Sequence, residues 1–256
     1  MHDYPKSNYH AHTVRCKHAK DEERAYIENA IDMGLEVFGF SDHVPIPFRN
    51  GFVSGIRMDM EQAEEYIGTI RRLAEEYKDQ IRVLVGFEAE YLPEFYEDQI
   101  SELHKLHYDY MIMGQHFLES EQYGPYMGTP TSDEERLRGY VDRIIEGMKT
   151  GSYKYLAHPD LFHFTGMDSV YDWEMTRLCT EMKHLGIPLE MNILGMGERR
   201  HYPSERFWRI AGEVGNDTIF GMDAHMASQV RDGKAYDKCV ALAEKCGLKV
   251  IDFLDI

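Results

Sequence analysis

A chain of 256 residues that is 43% hydrophobic and 29% charged can bury a sizeable core, and its composition is that of a globular protein rather than a disordered one. Its formal net charge of −17 argues against nucleic acid and anionic membrane as partners, because the overall field repels both. No run approaches the ~20 apolar residues of a membrane helix, the opening MHDYPKSNYHAHT has no apolar core, and the four cysteines form no CxxC pair, so the expectation is a cytoplasmic protein with reduced thiols.

The first strand candidate, SNYHAHT at 7–13, carries His10 and His12 and runs into a loop holding Arg15, Cys16 and His18. A helix is predicted over 21–35, opening on acids and closing at Gly34, and the second strand, VFGFSDH, ends on His43. Residues 59–77 place Ala63, Ile67, Ile70, Leu73 and Ala74 on one helical face. The third strand, RVLVGFEAEY, carries Glu88 and Glu90, and the fourth, YDYMIMGQHF, carries His116. A helix over 132–151 is expected to start with a capping box from Ser132 to Glu135 and to stop at Gly151. The fifth strand candidate, YKYLAHPDLF, contains His158, and a helix after it closes on Gly186. PLEMNI is the sixth strand, TIFGMDAH the seventh with Asp223 and His225, and a helix ending at Gly247 follows.

Strands and helices alternate throughout, with no linker rich in Pro, Gly or Ser. That predicts one domain over 1–256, built on a parallel sheet. Seven units favour a closed or distorted barrel, with a doubly wound sheet as the alternative.

The chemistry lies at the strand ends. In α/β barrels these ends converge on one face, so residues far apart in sequence would share a pocket. Residues two apart on a strand point the same way, which lets His10 and His12, Glu88 and Glu90, or Asp223 and His225 face a common ion. Imidazoles and carboxylates together suit Zn²⁺, Mn²⁺ or Fe²⁺. The donors outnumber what one tetrahedral ion needs, and a carboxylate such as Glu88 can bridge, so a centre of two or three ions follows. Cys16 is a candidate soft ligand, whereas His2, His104, His107, His184 and His201 read as surface or satisfied core residues.

With YHAHT through CKHA, FSDH, GFEAEY, GQHF, AHPDLF and GMDAH in order, the chain resembles the PHP (polymerase and histidinol phosphatase) superfamily, and within it the monofunctional histidinol-phosphatases. The resemblance covers nearly the whole chain. It implies a distorted seven-stranded (β/α)7 barrel holding two or three divalent transition-metal ions (Zn, Mn or Fe). Its ligands would be His10, His12, His18, His43, Glu88, His116, His158, Asp223 and His225, with His18 placed by the family pattern alone. Glu88 would be the bridging carboxylate, and Glu90 would orient a ligand. The implied activity is hydrolysis of a small phosphate monoester, most typically L-histidinol phosphate in histidine biosynthesis, with Asp223 or His225 assisting proton transfer. The candidate phosphate-binding groups are Arg15, Arg199 and Arg200.

Many relatives carry a basic residue after AHPDL, where this chain has Phe162-His163. Phe117, Tyr91, Phe162 and Tyr202 could line an organic pocket or serve as packing. The rival readings are a phosphoesterase for a sugar phosphate or phosphotyrosine protein, a metal-loaded module without turnover, and a single-metal amidohydrolase-like enzyme. The last would want a lysine ligand that LAHPD does not offer. Oligomeric state is not legible in the sequence.

Overall fold

The computed structural model describes residues 4–256, so His2 lies outside the described residues. Strands β1 (Ser7–Asn8), β2 (Val37–His43), β3 (Arg82–Ala89) and β4 (Tyr110–Met113) form one parallel ladder in chain order. Strands β5 (Leu189–Asn192), β6 (Asp217–Gly221) and β7 (Lys249–Val250) form a second, also parallel. The intervening helices are α1 (Glu23–Asp32), α2 (Ala63–Tyr77), α3 (Pro93–Leu103), α4 (Glu134–Met148), α5 (Asp168–Leu185), α6 (Ile193–Gly197), α7 (Glu205–Val214) and α8 (Gly233–Lys245). The result is an α/β fold on a curled parallel sheet.

The fifth expected strand departs from expectation. Of 153–162 only Leu156 pairs on both sides, bridging Met113 and Leu189 and so joining the two ladders. The extended run ends there because His158 takes a positive φ of 30° and Pro159, which follows it, has no N–H to donate to a ladder. A second join, Ala11 to Ala224, links the segments beyond β1 and β6. The exposed two-residue β7 has no counterpart in the sequence reading, being too short to show a period. Helix α4 is capped one residue later than expected: Asp133, not Ser132, accepts from the Glu135 and Arg136 amides at 3.0 and 3.1 Å.

The larger core lies between sheet and helices and includes Phe38, Phe40, Val85, Phe87, Ile144 and Leu178. A smaller cluster, including Tyr9, Leu84, Tyr110, Ile112, Tyr155 and Ile219, occupies the inner face of the curl. The C-terminal segment packs under this cluster through Ile251, Leu254 and Ile256. It is tied there by the Leu254 amide to the Tyr9 hydroxyl at 3.1 Å, Lys154 to the Asp255 carbonyl at 3.0 Å and Arg82 to the Ile256 carbonyl at 3.0 Å. One end of the sheet is thereby closed, and the carboxyl ends of the strands line the other. Among the described residues no helix is long and apolar enough to cross a membrane.

Candidate metal centre

His10 and His12 leave β1 on the same side of the chain, their ring centroids 5.2 Å apart, while Ala11 between them makes the bridge to Ala224. Both imidazoles are fully buried. Glu88, near the end of β3, is the hub they meet. Its Oε2 lies 3.0 Å from His43 Nδ1 and 3.5 Å from both His10 Nε2 and His12 Nε2. Its Oε1 lies 2.9 Å from His158 Nε2 and 3.5 Å from His116 Nε2. Asp223 Oδ1 approaches His12 Nε2 at 3.1 Å and His10 Nε2 at 3.5 Å. His225 stacks on His12 with centroids 4.1 Å apart, and its Nε2 lies 3.1 Å from that of His18. All nine residues expected from the sequence therefore converge.

The local backbone serves this convergence. A Cβ on Gly114 would sit 1.9 Å from Glu88 Oε1, and one on Gly221 would sit 2.1 Å from Glu190 Oε2. Only glycine leaves room for either carboxylate. His158 and Asp223 hold positive φ values of 30° and 51°, a conformation that costs side-chain-bearing residues of order 1–3 kcal/mol and clusters at functional sites.

The donor set fits metal ions. His10 Nε2 and both ring nitrogens of His12 are buried without a hydrogen bond, an arrangement that costs free energy unless a ligand satisfies them. Five triads place their donor atoms within 4.8 Å of one another: His12–Cys16–His225, His18–His43–His225, His10–His158–Asp223, His10–His12–Glu88 and His43–Glu88–His116. Burial alone would raise the Glu88 carboxyl, but His116, His10 and His43 hold it well below the usual range. Burial would likewise raise Asp223, and His10 and His12 hold it well below. Burial lowers His43 to about 4 and His225 to about 3, so both are neutral donors near neutral pH. The Cys16 thiol is pushed up to about 12, chiefly by burial, and its sulfur already accepts from the Ala19 amide at 3.2 Å.

The three arginines part company. Arg200 lines the cavity above the carboxylates, bonded to the Tyr202 hydroxyl at 2.7 Å and to Glu198 Oε2 through Nε at 2.9 Å and Nη2 at 2.7 Å. Arg199 is exposed and does not line it. Arg15 lies in a separate groove between α1 and α2, bonded to Glu23 and, through Nε at 2.8 Å, to Glu65. A short 3-10 turn over Val14–Cys16 carries its side chain outward, where these carboxylates satisfy it.

The cavity is about 560 Å³ and open to solvent at its mouth, with Phe117, Tyr126, Tyr202 and Leu194 beside the donor ring. Tyr91 and Phe162 are packing residues instead, against Tyr96 and Tyr140 respectively. His163, in the position that departs from the family pattern, stacks on His201 at 4.0 Å. His104, His107 and His184 are exposed.

Sequence reasoning missed the outer supports. Glu190 Oε2 lies 2.7 Å from His10 Nδ1. Asn192 spans Glu190 at 2.9 Å and Asp223 at 3.2 Å. Asp42 accepts from the Thr13 amide at 3.2 Å and lies 3.5 Å from His12 Nδ1. The signal existed: Glu190 and Asn192 sit two apart on PLEMNI with the same alternation as His10 and His12. PLEMNI itself closes on the apolar Ile193, so it shows no donor at its end as the other strands do.

The chain is similar to known proteins in sequence and in fold. A "Probable histidinol-phosphatase" of Deinococcus radiodurans is 29% identical over 230 residues, covering 86% of each chain. The "Histidinol-phosphatase" of Bacillus subtilis is 26% identical over 276 residues, covering 94% of this chain and 99% of its own. A solved histidinol phosphate phosphatase of Lactococcus lactis, complexed with zinc, L-histidinol and phosphate, superposes with a TM-score of 0.76 at 19% identity, covering 98% of this chain and 99% of that one. The PHP domain model matches residues 8–193. Most of the chain, including the segments that carry His10 through His158, therefore falls within that match, and the protein belongs to the PHP domain family.

Proposed function

We propose that the chain is a metal-dependent phosphomonoesterase acting on L-histidinol phosphate, a cytoplasmic enzyme of histidine biosynthesis. The observation that carries this is the buried ring of imidazoles around Glu88 and Asp223, with ring nitrogens left unbonded. The names of the relatives from Deinococcus and Bacillus supply the substrate. His10, His12, His18, His43, Glu88, His116, His158, Asp223 and His225 would hold two or three divalent ions. Such ions supply Lewis acidity, neutralising a phosphoryl group and acidifying water.

The chain's own groups do the rest. Glu88 presents one oxygen to each half of the ring and keeps the imidazoles in place. Arg200, which lines the cavity with its Nε–Nη2 edge on Glu198 and Nη1 on the Tyr202 hydroxyl, would turn an N–H to the phosphoryl oxygens when the ester binds. Phe117, Tyr126 and Tyr202 hold the organic part of the ester and exclude water from it. Asp223 and His225 line the cavity in their proton-free forms, so they would take a proton from the attacking water rather than supply one to the leaving alkoxide. The same reading takes 1–256 as one domain and the two bridged ladders as a distorted seven-stranded barrel, which the joins at Leu156 and Ala11 support.

The test is phosphate release from L-histidinol phosphate, a phosphotyrosine peptide and sugar phosphates, by wild type and by His12→Ala and Glu88→Gln. Preference for L-histidinol phosphate, lost in both variants and on chelation, is expected. Another preferred ester would overturn the substrate, and no turnover with metal bound would overturn the activity.

A further inference from the structure

The segment between β2 and α2 sends one arginine inward. Arg57 is 1% exposed, and the sequence gives no hint of this placement. Its Nη1 and Nη2 reach the two oxygens of Glu90 at 3.1 and 3.2 Å, Nη1 also bonds the Val44 carbonyl at 3.0 Å, and Nε bonds Glu121 Oε2 at 2.7 Å. Glu90 Oε1 in turn lies 3.0 Å from His116 Nδ1, and the opposite nitrogen of that ring faces Glu88. One guanidinium thus ties together three segments that surround the cavity. They are its own, whose Ile56 lines the mouth; the end of β3; and the β4–α4 connection, which carries His116, Glu121 and Tyr126.

We propose that Arg57 is a positioning residue that fixes the metal-facing orientation of His116 by clamping Glu90. The clamp has a geometric and an electrostatic part. A carboxylate held at both oxygens cannot rotate, so its Oε1 offers His116 Nδ1 a fixed acceptor. That keeps the Nδ1 proton in place and leaves Nε2 as the free donor. The cation also offsets the repulsion between the buried Glu90 and Glu121 carboxylates, so Glu90 can stay beside His116 as an anion. Arginine suits this role where lysine does not, because its fork matches both oxygens at once.

The proposal rests on His116 being a metal ligand, and the test separates the two. Zinc affinity by chelator competition, zinc stoichiometry and metal-free melting temperature would be measured for Arg57→Met, Arg57→Lys, Glu90→Gln, the double variant Arg57→Met/Glu90→Gln and His116→Ala. Arg57→Met and Glu90→Gln are each expected to weaken one zinc about 10–100-fold. The double variant should be no weaker than either single, and Arg57→Lys should fall between Arg57→Met and wild type. Should Arg57→Met fail to fold, Arg57→Lys and Glu90→Gln decide. A Lys variant matching wild type while Glu90→Gln loses zinc overturns the clamp. A folded Arg57→Met with a lower melting temperature and unchanged zinc affinity overturns it as well, leaving a structural ion pair. If His116→Ala keeps every zinc at wild-type affinity, the ligand reading has failed instead.

Discussion

The Glu190 carboxylate lies 2.7 Å from His10 Nδ1, with both side chains fully buried. A carboxylate on the outer nitrogen fixes the tautomer of a ligating imidazole and raises its basicity. Burial would lower His10, but Glu190, Asp223 and Glu88 raise it well above its usual value. Replacing Glu190 by Gln preserves volume and removes the charge. The expected outcome is a loss of about 10–100-fold in zinc affinity, with little change in circular dichroism, read by competition with a chromogenic chelator.

Glu88→Gln should be more severe. One oxygen faces His43, His10 and His12 and the other faces His158 and His116, so the amide removes the charge that both halves of the ring share. Several kcal/mol of transition-state stabilisation depend on it, and kcat should fall about a thousandfold or more. Elemental analysis should show fewer metal ions per chain.

The arginines give a paired prediction. Arg200 lines the cavity, so Arg200→Gln should lower kcat/KM for the phosphate ester by about 10–100-fold, the worth of a charge-assisted hydrogen bond. Arg15→Gln breaks the bonds to Glu23, Glu65 and Thr13, all outside the cavity, and because the Arg15 and Glu23 side chains are only 10% and 13% exposed it should cost about 1–3 kcal/mol of stability. Its steady-state kinetics should match wild type. The reverse pattern would place the phosphate at the wrong arginine.

Asp160 predicts a pH dependence of stability. Burial raises its carboxyl from 3.8 to about 7, and the Ser204 amide at 2.6 Å opposes this only in part. The folded state therefore keeps a proton that the unfolded chain releases near pH 4. This contribution is fully present below the unfolded value and is lost as pH rises through about 7. Asp160→Asn should flatten urea-unfolding stability across that window and make the protein more stable than wild type at pH 8.

Removing 251–256 uncovers the cluster of Tyr9, Leu84, Tyr110 and Ile219. Lost burial of Ile251, Leu254 and Ile256 should cost about 2–4 kcal/mol. The melting temperature should fall while kcat of the folded fraction stays close to wild type, because these contacts lie at the end of the sheet away from the cavity.

The sequence by itself determined the repeating strand–helix order, the parallel sense of the sheet and the residues that gather around Glu88. Those features are local: apolar period, glycine stops and donors two apart on an extended chain survive in one dimension. The ends of SNYHAHT, VFGFSDH and TIFGMDAH converge for the same reason, since parallel strands share a carboxyl end. Tertiary structure alone decided what supports that ring. Arg57 and Glu190 are ordinary charged residues until folding withdraws water from them and leaves Glu90 and Glu121 as partners of the one and His10 and Asn192 as partners of the other. Arg15 and Arg200 look equivalent along the chain, yet the turn at Val14–Cys16 sends one to Glu23 and Glu65 while the loop after α6 sets the other over the cavity. The fifth strand shrank to Leu156 because the backbone at His158 turns to aim a donor. Alternation on PLEMNI marks Glu190 and Asn192, but which opposite charge a side chain meets depends on segments distant in sequence, so no local pattern encodes the partner.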